Sequence, residues 1–308
     1  MITDRLIEAI EKKENPTALG LDTRIEYLPE SFASQFDTGN LMGASGAILA
    51  FNKVLIDALK EIVPCVKLQA AYYEMYGMPG LAVMEQTAQY ARENGLVVIL
   101  DIKRNDIGAT SEAYANAYLG ETTLKGRKVR TFSGDFATVN PYLGVDGVEP
   151  FLKACDEYDR GIFLLVKTSN PSSSQIQDMP LADGRTVYEA VADLVNEWGR
   201  DSIGEYGYSR AGAVVGATHP EQGAALRKRM PNSFFLLPGY GAQGASGKDL
   251  AGMFDEKKRG AVVNASRSLL CAWKKWGTED FVSASREEAY KMREDIIGAL
   301  AAKTAKRF

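Results

Sequence analysis

The run Asp101-Ile102-Lys103-Arg104-Asn105-Asp106-Ile107-Gly108-Ala109-Thr110 places two carboxylates and an ammonium directly after the apolar run Leu96-Val97-Val98-Ile99-Leu100. Two apart in extended backbone, Asp101 and Lys103 point to the same side, and Asp106 falls on the following turn. A carboxylate buried alone is costly, whereas an ammonium beside it keeps both groups ionised. Such an array is a fixed field: a second anion pressed against Asp101 is strained, and negative charge developing beside Lys103 is stabilised. Lys103, held by acids on either side, is the obvious proton donor. The same residues also suit an ion pair that only caps a strand. Asp22 ends the run Ala18-Leu19-Gly20-Leu21, and Lys67 lies near the end of Cys65-Val66-Lys67-Leu68-Gln69. Lys67 is either buried against a carboxylate or exposed and snorkelling. Asp22, Lys67, Asp101, Lys103 and Asp106 are expected to gather at one mouth.

Two further stretches could grip a ligand. Gly239, Gly241 and Gly244 in Pro238-Gly239-Tyr240-Gly241-Ala242-Gln243-Gly244 allow close backbone approach to an anion, and Arg267 would meet that loop from the neighbouring unit. They could equally make only a tight loop. The serine-rich loop after Lys167-Thr168-Ser169-Asn170-Pro171 cannot pack as core and is a candidate lid or ligand grip. His219 is the only histidine. That removes most histidine-rich metal sites and makes any serine-histidine-acid triad depend on one residue; before Pro220 it reads as a helix-entry or wall residue. Cys65, Cys155 and Cys271 lack metal-ligand or redox spacing and read as thiols of a reducing compartment.

These groups need a scaffold that brings strand ends together. Apolar strand-like runs stand at 18–22, 65–69, 96–101, 136–140, 161–166, 213–216, 234–237 and 261–264. Helical periodicity stands at 3–13, 47–62, 79–94, 111–119, 149–158, 186–198, 221–229, 248–258 and 285–303. An open doubly wound sheet also alternates strand and helix, but eight units in roughly 250 residues suit a closed TIM (β/α)8 barrel better, with strand ends sharing its C-terminal face. No composition shift marks a linker, so 1–308 is expected to form a single domain, with loop insertions at 23–46 and 120–134. Apolar residues are 45% and the net charge is -4, which gives no electrostatic case for nucleic acid but allows a local basic pocket for a phosphorylated metabolite. No run reaches the roughly 18 apolar residues of a membrane span, and the N-terminus lacks a secretory pattern, so a cytoplasmic protein is expected.

At these residues the chain resembles orotidine 5'-phosphate decarboxylases. Asp-Ile-Lys-Arg-Asn-Asp-Ile-Gly at 101–108, the loop 238–244 and Arg267 are similar to the longer second bacterial subfamily. The resemblance implies a homodimer with shared active sites that needs neither metal nor organic cofactor. It implies a catalytic network of Lys67, Asp101, Lys103 and Asp106, with Asp106 and Thr110 supplied by the partner subunit. Asp22 and Lys67 would hold ribose hydroxyls, Ser169 would meet the pyrimidine, and Gln243 and Arg267 would grip the phosphate. The implied reaction is loss of the C6 carboxylate of orotidine 5'-monophosphate, with Lys103 protonating C6. Where shorter members carry a histidine near Ser169, this chain has Asn170. The alternatives are a magnesium-dependent sugar-phosphate decarboxylase or aldolase of the same barrel group, and a noncatalytic nucleotide-binding barrel.

Overall fold

β-Branched and apolar runs in extended conformation cannot satisfy their own backbone hydrogen bonds and must pair, and here they pair into a cylinder. The computed structural model describes residues 1–241 and 244–305. Its strands are β1 (Thr17–Gly20), β2 (Cys65–Gln69), β3 (Val97–Arg104), β4 (Thr122–Leu124), β5 (Arg127–Val129), β6 (Phe136–Val139), β7 (Gly161–Lys167), β8 (Ala211–Val215), β9 (Phe235–Pro238) and β10 (Ala261–Ala265). Among the described residues, eight of them close a parallel barrel in the order β1-β2-β3-β6-β7-β8-β9-β10, with β10 returning to β1. This is the expected TIM barrel.

The interior is filled from below. Helix Ile2–Lys13 presents Ile2, Leu6 and Ile7 to a cluster that includes Ile99, Phe136, Phe163, Phe234 and Val262. Each such buried side chain contributes about 2 kcal/mol of hydrophobic stabilisation. That plug closes the N-terminal end and leaves the C-terminal end for polar groups. A second, larger core lies between the strands and the outer helices. Helix Leu41–Leu59, long and apolar enough to cross a membrane by length and composition, packs there against helices Gly77–Glu93 and Phe281–Ala305.

Several boundaries differ from those read in the sequence. The helix expected at 47–62 begins at Leu41, because the Asn40 side chain caps it by accepting from the Gly43 N–H at 2.9 Å. Gly43 there is a packing requirement rather than a loop signal: a Cβ at that position would stand 1.9 Å from the Asp37 carbonyl. The insertion 120–134 contains an antiparallel hairpin of β4 and β5, with Lys125 and Gly126 at φ 49° and 79° in its turn. Both strands are exposed, so no buried face produces an alternating pattern to read. The helix expected at 248–258 is only Gly247–Leu250 followed by a 3-10 turn, Ala251–Met253. Asp255 then accepts from the Arg259 N–H and turns the chain toward β10. Helices Arg267–Leu270 and Ala272–Trp276 had no counterpart in the sequence reading.

Candidate active site

β3 ends in a distortion that builds the centre of the site. Between Leu100 and Arg104 it advances four residues while β6 advances two, from Ala137 to Val139. The surplus is a bulge, and Lys103 within it adopts a left-handed φ of 48°. Asp101 and Lys103 share a side, as the alternation of the strand predicts: Ile99 belongs to the inner cluster, while Leu100 and Ile102 belong to the outer core. Backbone of this kind costs about 1–3 kcal/mol and persists where the surroundings enforce it. Here the Lys103 N–H donates to Thr138 Oγ1 at 2.9 Å.

Among the described residues, four side-chain donors converge on Asp101, which is 7% exposed. Lys103 Nζ lies 2.6 Å from Oδ1, and Thr138 Oγ1 donates to the same oxygen at 2.8 Å. Lys67 Nζ lies 2.9 Å from Oδ2, which Gln69 Nε2 also reaches at 3.0 Å. Burial alone would raise the Asp101 carboxyl, but Lys67 and Lys103 outweigh it and hold the group well below the usual carboxylate range. For Lys67, burial acts to lower the ammonium, yet Asp101 and Asp22 hold it above the usual lysine range. Lys67 is buried, with Asp22 Oδ1 at 3.3 Å, so it is not a snorkelling residue. Lys103 is different: its side chain is 43% exposed and reaches into the open cavity.

That cavity is about 530 Å³ and opens at the C-terminal mouth. Asp22, Lys67, Asp101, Lys103, Ser169, Gly239 and Arg267, all expected from the sequence, line it. Asp106 and Thr110 do not line the cavity of their own chain. Asp106 is half-buried on the turn after β3, where its Oδ1 accepts from the Ile107 N–H at 2.8 Å, and Thr110 is exposed. Gln243 lies outside the described residues. Gly239, Gly241 and Gly244 all have positive φ, at 114°, 67° and 94°, as the loop reading requires. The N–H groups of Gly241 and Gly244 bond within the loop, to Ala245 O and Gly241 O. The loop is anchored from outside by Tyr240 Oη, which donates to Asp295 Oδ2 at 2.9 Å. His219 lies at the entry of helix Pro220–Arg229, away from the cavity lining.

Thr138, Gln69, Asn264, Tyr27 and Tyr72 also line the cavity and were missed. For the first three a signal existed: each is a polar residue in an apolar strand, near its C-terminal end, where inward positions face the mouth. Tyr27 lies in the insertion 23–46, which is tied to the barrel where Trp273 Nε1 donates to the Tyr27 carbonyl at 2.8 Å.

Sequence and structure comparisons agree with one another. Residues 50–275 match the family model described as Orotidine 5'-phosphate decarboxylase / HUMPS family. The chain is 42% identical over 301 residues to the orotidine 5'-phosphate decarboxylase of Caldicellulosiruptor saccharolyticus, covering 97% of this chain and 98% of the relative. It is 41% identical over 298 residues to that of Clostridium acetobutylicum, covering 96% and 99%. The solved OMP decarboxylase of Leishmania donovani superposes with a TM-score of 0.74 at 28% identity, covering 97% of this chain and 99% of that one.

Proposed function

The chain belongs to the orotidine 5'-phosphate decarboxylase / HUMPS family, and we propose that it converts orotidine 5'-monophosphate to uridine 5'-monophosphate and CO2 in pyrimidine biosynthesis, without metal or organic cofactor, in the cytoplasm. The observation that carries this reading is the charge array at the cavity floor, with Lys67, Asp101 and Lys103 linked at 2.9 and 2.6 Å. An ionised carboxylate is held there between two ammonium groups, and of these three Lys103 is the one that extends into open space.

In the proposed reaction the C6–carboxylate bond breaks, CO2 leaves, and its bonding pair remains on C6. Asp101, kept ionised by both lysines, crowds the substrate carboxylate. Lys103 stabilises the pair on C6 and then gives it a proton. Asp22 and Lys67 hold ribose hydroxyls, Ser169 meets the pyrimidine, and Arg267 with Gln243 and the glycine loop holds the phosphate. Phosphate binding far from C6 orders the loops around the reacting carbon, so binding energy is used where no bond changes.

The working unit in this reading is a homodimer, with Asp106 and Thr110 of each chain completing the other chain's site. Their position outside their own cavity supports it, as does the apolar rim beside them: Ile107, Tyr142, Leu143 and Val145 are all exposed. The test of the activity is an assay that follows loss of orotidine 5'-monophosphate absorbance after exhaustive chelation. Retained turnover is expected. Loss that is restored by magnesium would point instead to metal-dependent sugar-phosphate chemistry, and UMP binding with no turnover would leave a noncatalytic nucleotide-binding barrel.

A further inference from the structure

Lys167 ends β7 at the same rim and takes no part in the reaction proposed above. Its side chain is fully buried, a state open to lysine only when the ammonium is paired. The β7–β8 ladder slips by one residue here, Leu165 standing opposite Val214 and Lys167 opposite Val215. Lys167 does not line the cavity. Its Nζ instead meets Asp178 Oδ1 at 2.8 Å and Ser173 Oγ at 3.2 Å, and lies 5.5 Å from the centre of the Tyr188 ring. One interior cation thus collects two separate positions of the serine-rich loop.

The rest of the loop is fastened in the same sense. Gln177 Oε1 accepts from the Thr168 N–H at 2.9 Å, and Gln177 Nε2 donates to Thr168 Oγ1 at 2.8 Å, so the two ends of the loop are stapled together. Gln222 Nε2 donates to Asp178 Oδ1 at 3.2 Å from the next unit. Ser169, between these ties, has its carbonyl held by Thr218 Oγ1 at 3.1 Å. Its backbone rests on Gly216, where an added Cβ would come within 2.7 Å of the Ser169 Cα. Movement of residues 170–178 away from the barrel would take both Asp178 and Ser173 from the Lys167 ammonium, so the loop is held by a charge-assisted contact at each of two positions.

We infer that Lys167 is a positioning residue: through Asp178 and Ser173 it fixes the loop that presents Ser169 to the pyrimidine ring. This rests on the base contact proposed for Ser169. The experiment compares Ser169→Ala, Lys167→Met and the double variant for affinity to UMP and to ribose 5-phosphate, which has no base, with kcat and KM for orotidine 5'-monophosphate alongside. Ser169→Ala should weaken UMP about tenfold, the worth of one good hydrogen bond, and ribose 5-phosphate less than about twofold. Lys167→Met should show the same selective loss, and the double variant should be no worse than Ser169→Ala alone, because both changes remove one contact.

A Lys167→Met protein with a lowered Tm but an unchanged ratio of the two affinities would overturn the inference, and so would losses that simply add. Failure of the underlying base contact is separately visible: Ser169→Ala alone would then leave the ratio unchanged. If Lys167→Met does not fold, Lys167→Met combined with Asp178→Asn leaves no unpaired charge and takes the same measurements.

Discussion

Replacing Lys103 by alanine separates chemistry from fold at one position. The fold should hold, because Asp101 keeps Lys67 at 2.9 Å, Gln69 at 3.0 Å and Thr138 at 2.8 Å after the lysine is gone. The lost Lys103–Asp101 pair is half open to solvent on the lysine side, which limits its worth to about 1 kcal/mol. Alanine inherits the left-handed backbone at φ 48° without relief, so no compensating gain is expected. A Tm lower by a few degrees follows for a chain of this size.

Catalysis should fall much further. A positioned general acid contributes about 10²–10⁴-fold, and a charge aimed at the developing carbanion about 10²–10³-fold. Losing both effects together should lower kcat by about 10⁴-fold or more, about 5 kcal/mol in the barrier. The assay is turnover of orotidine 5'-monophosphate beside circular dichroism and UMP affinity on the same preparation. A folded Lys103→Ala protein turning over within about tenfold of wild type would refute the assignment, since such a loss is smaller than either effect alone.

Mixing Lys103→Ala and Asp106→Ala chains tests the shared site. Each homodimer should be nearly inactive, while random exchange makes about half the dimers mixed, each with one intact site, and restores about one quarter of wild-type activity; no recovery in tagged, verified heterodimers would return Asp106 to its own chain. Arg267→Ala should weaken UMP by at least about tenfold and uridine hardly at all, with Gln243→Ala acting in the same direction but less, because a guanidinium grips phosphate more strongly than an amide does; equal weakening of both ligands would place Arg267 elsewhere. The Asp101 carboxyl is depressed in the fold, so its stabilising contribution is fully present above the ordinary carboxylate range near about pH 4 and is lost as pH falls below it. Asp101→Asn should flatten the acid limb of a Tm-against-pH curve, and an unchanged limb would deny that contribution.

Much of the barrel was legible because its strands are short, apolar and bounded by turn residues, and because the plug helix carries Leu6 and Ile7 on one face. The acid-lysine array was legible for a related reason. A strand that is apolar up to Leu100 and then turns charged must end where charges can be met. How they meet was not. The bulge and the left-handed backbone of Lys103 depend on β3 advancing past β6, a register between segments far apart in the chain, and a local pattern carries no record of it. Thr138 and Gln69 became partners of Asp101 only because neighbouring strands bring their mouth-facing ends level. The burial of Lys167 was equally hidden, since its carboxylate arrives from the loop eleven residues later. Residue types and strand ends belong to the sequence by itself, because hydrophobicity and turn chemistry act locally; the stagger of the closed barrel and the pairings of its buried charges arise only in the tertiary structure, where strand register selects which groups share one low-dielectric space.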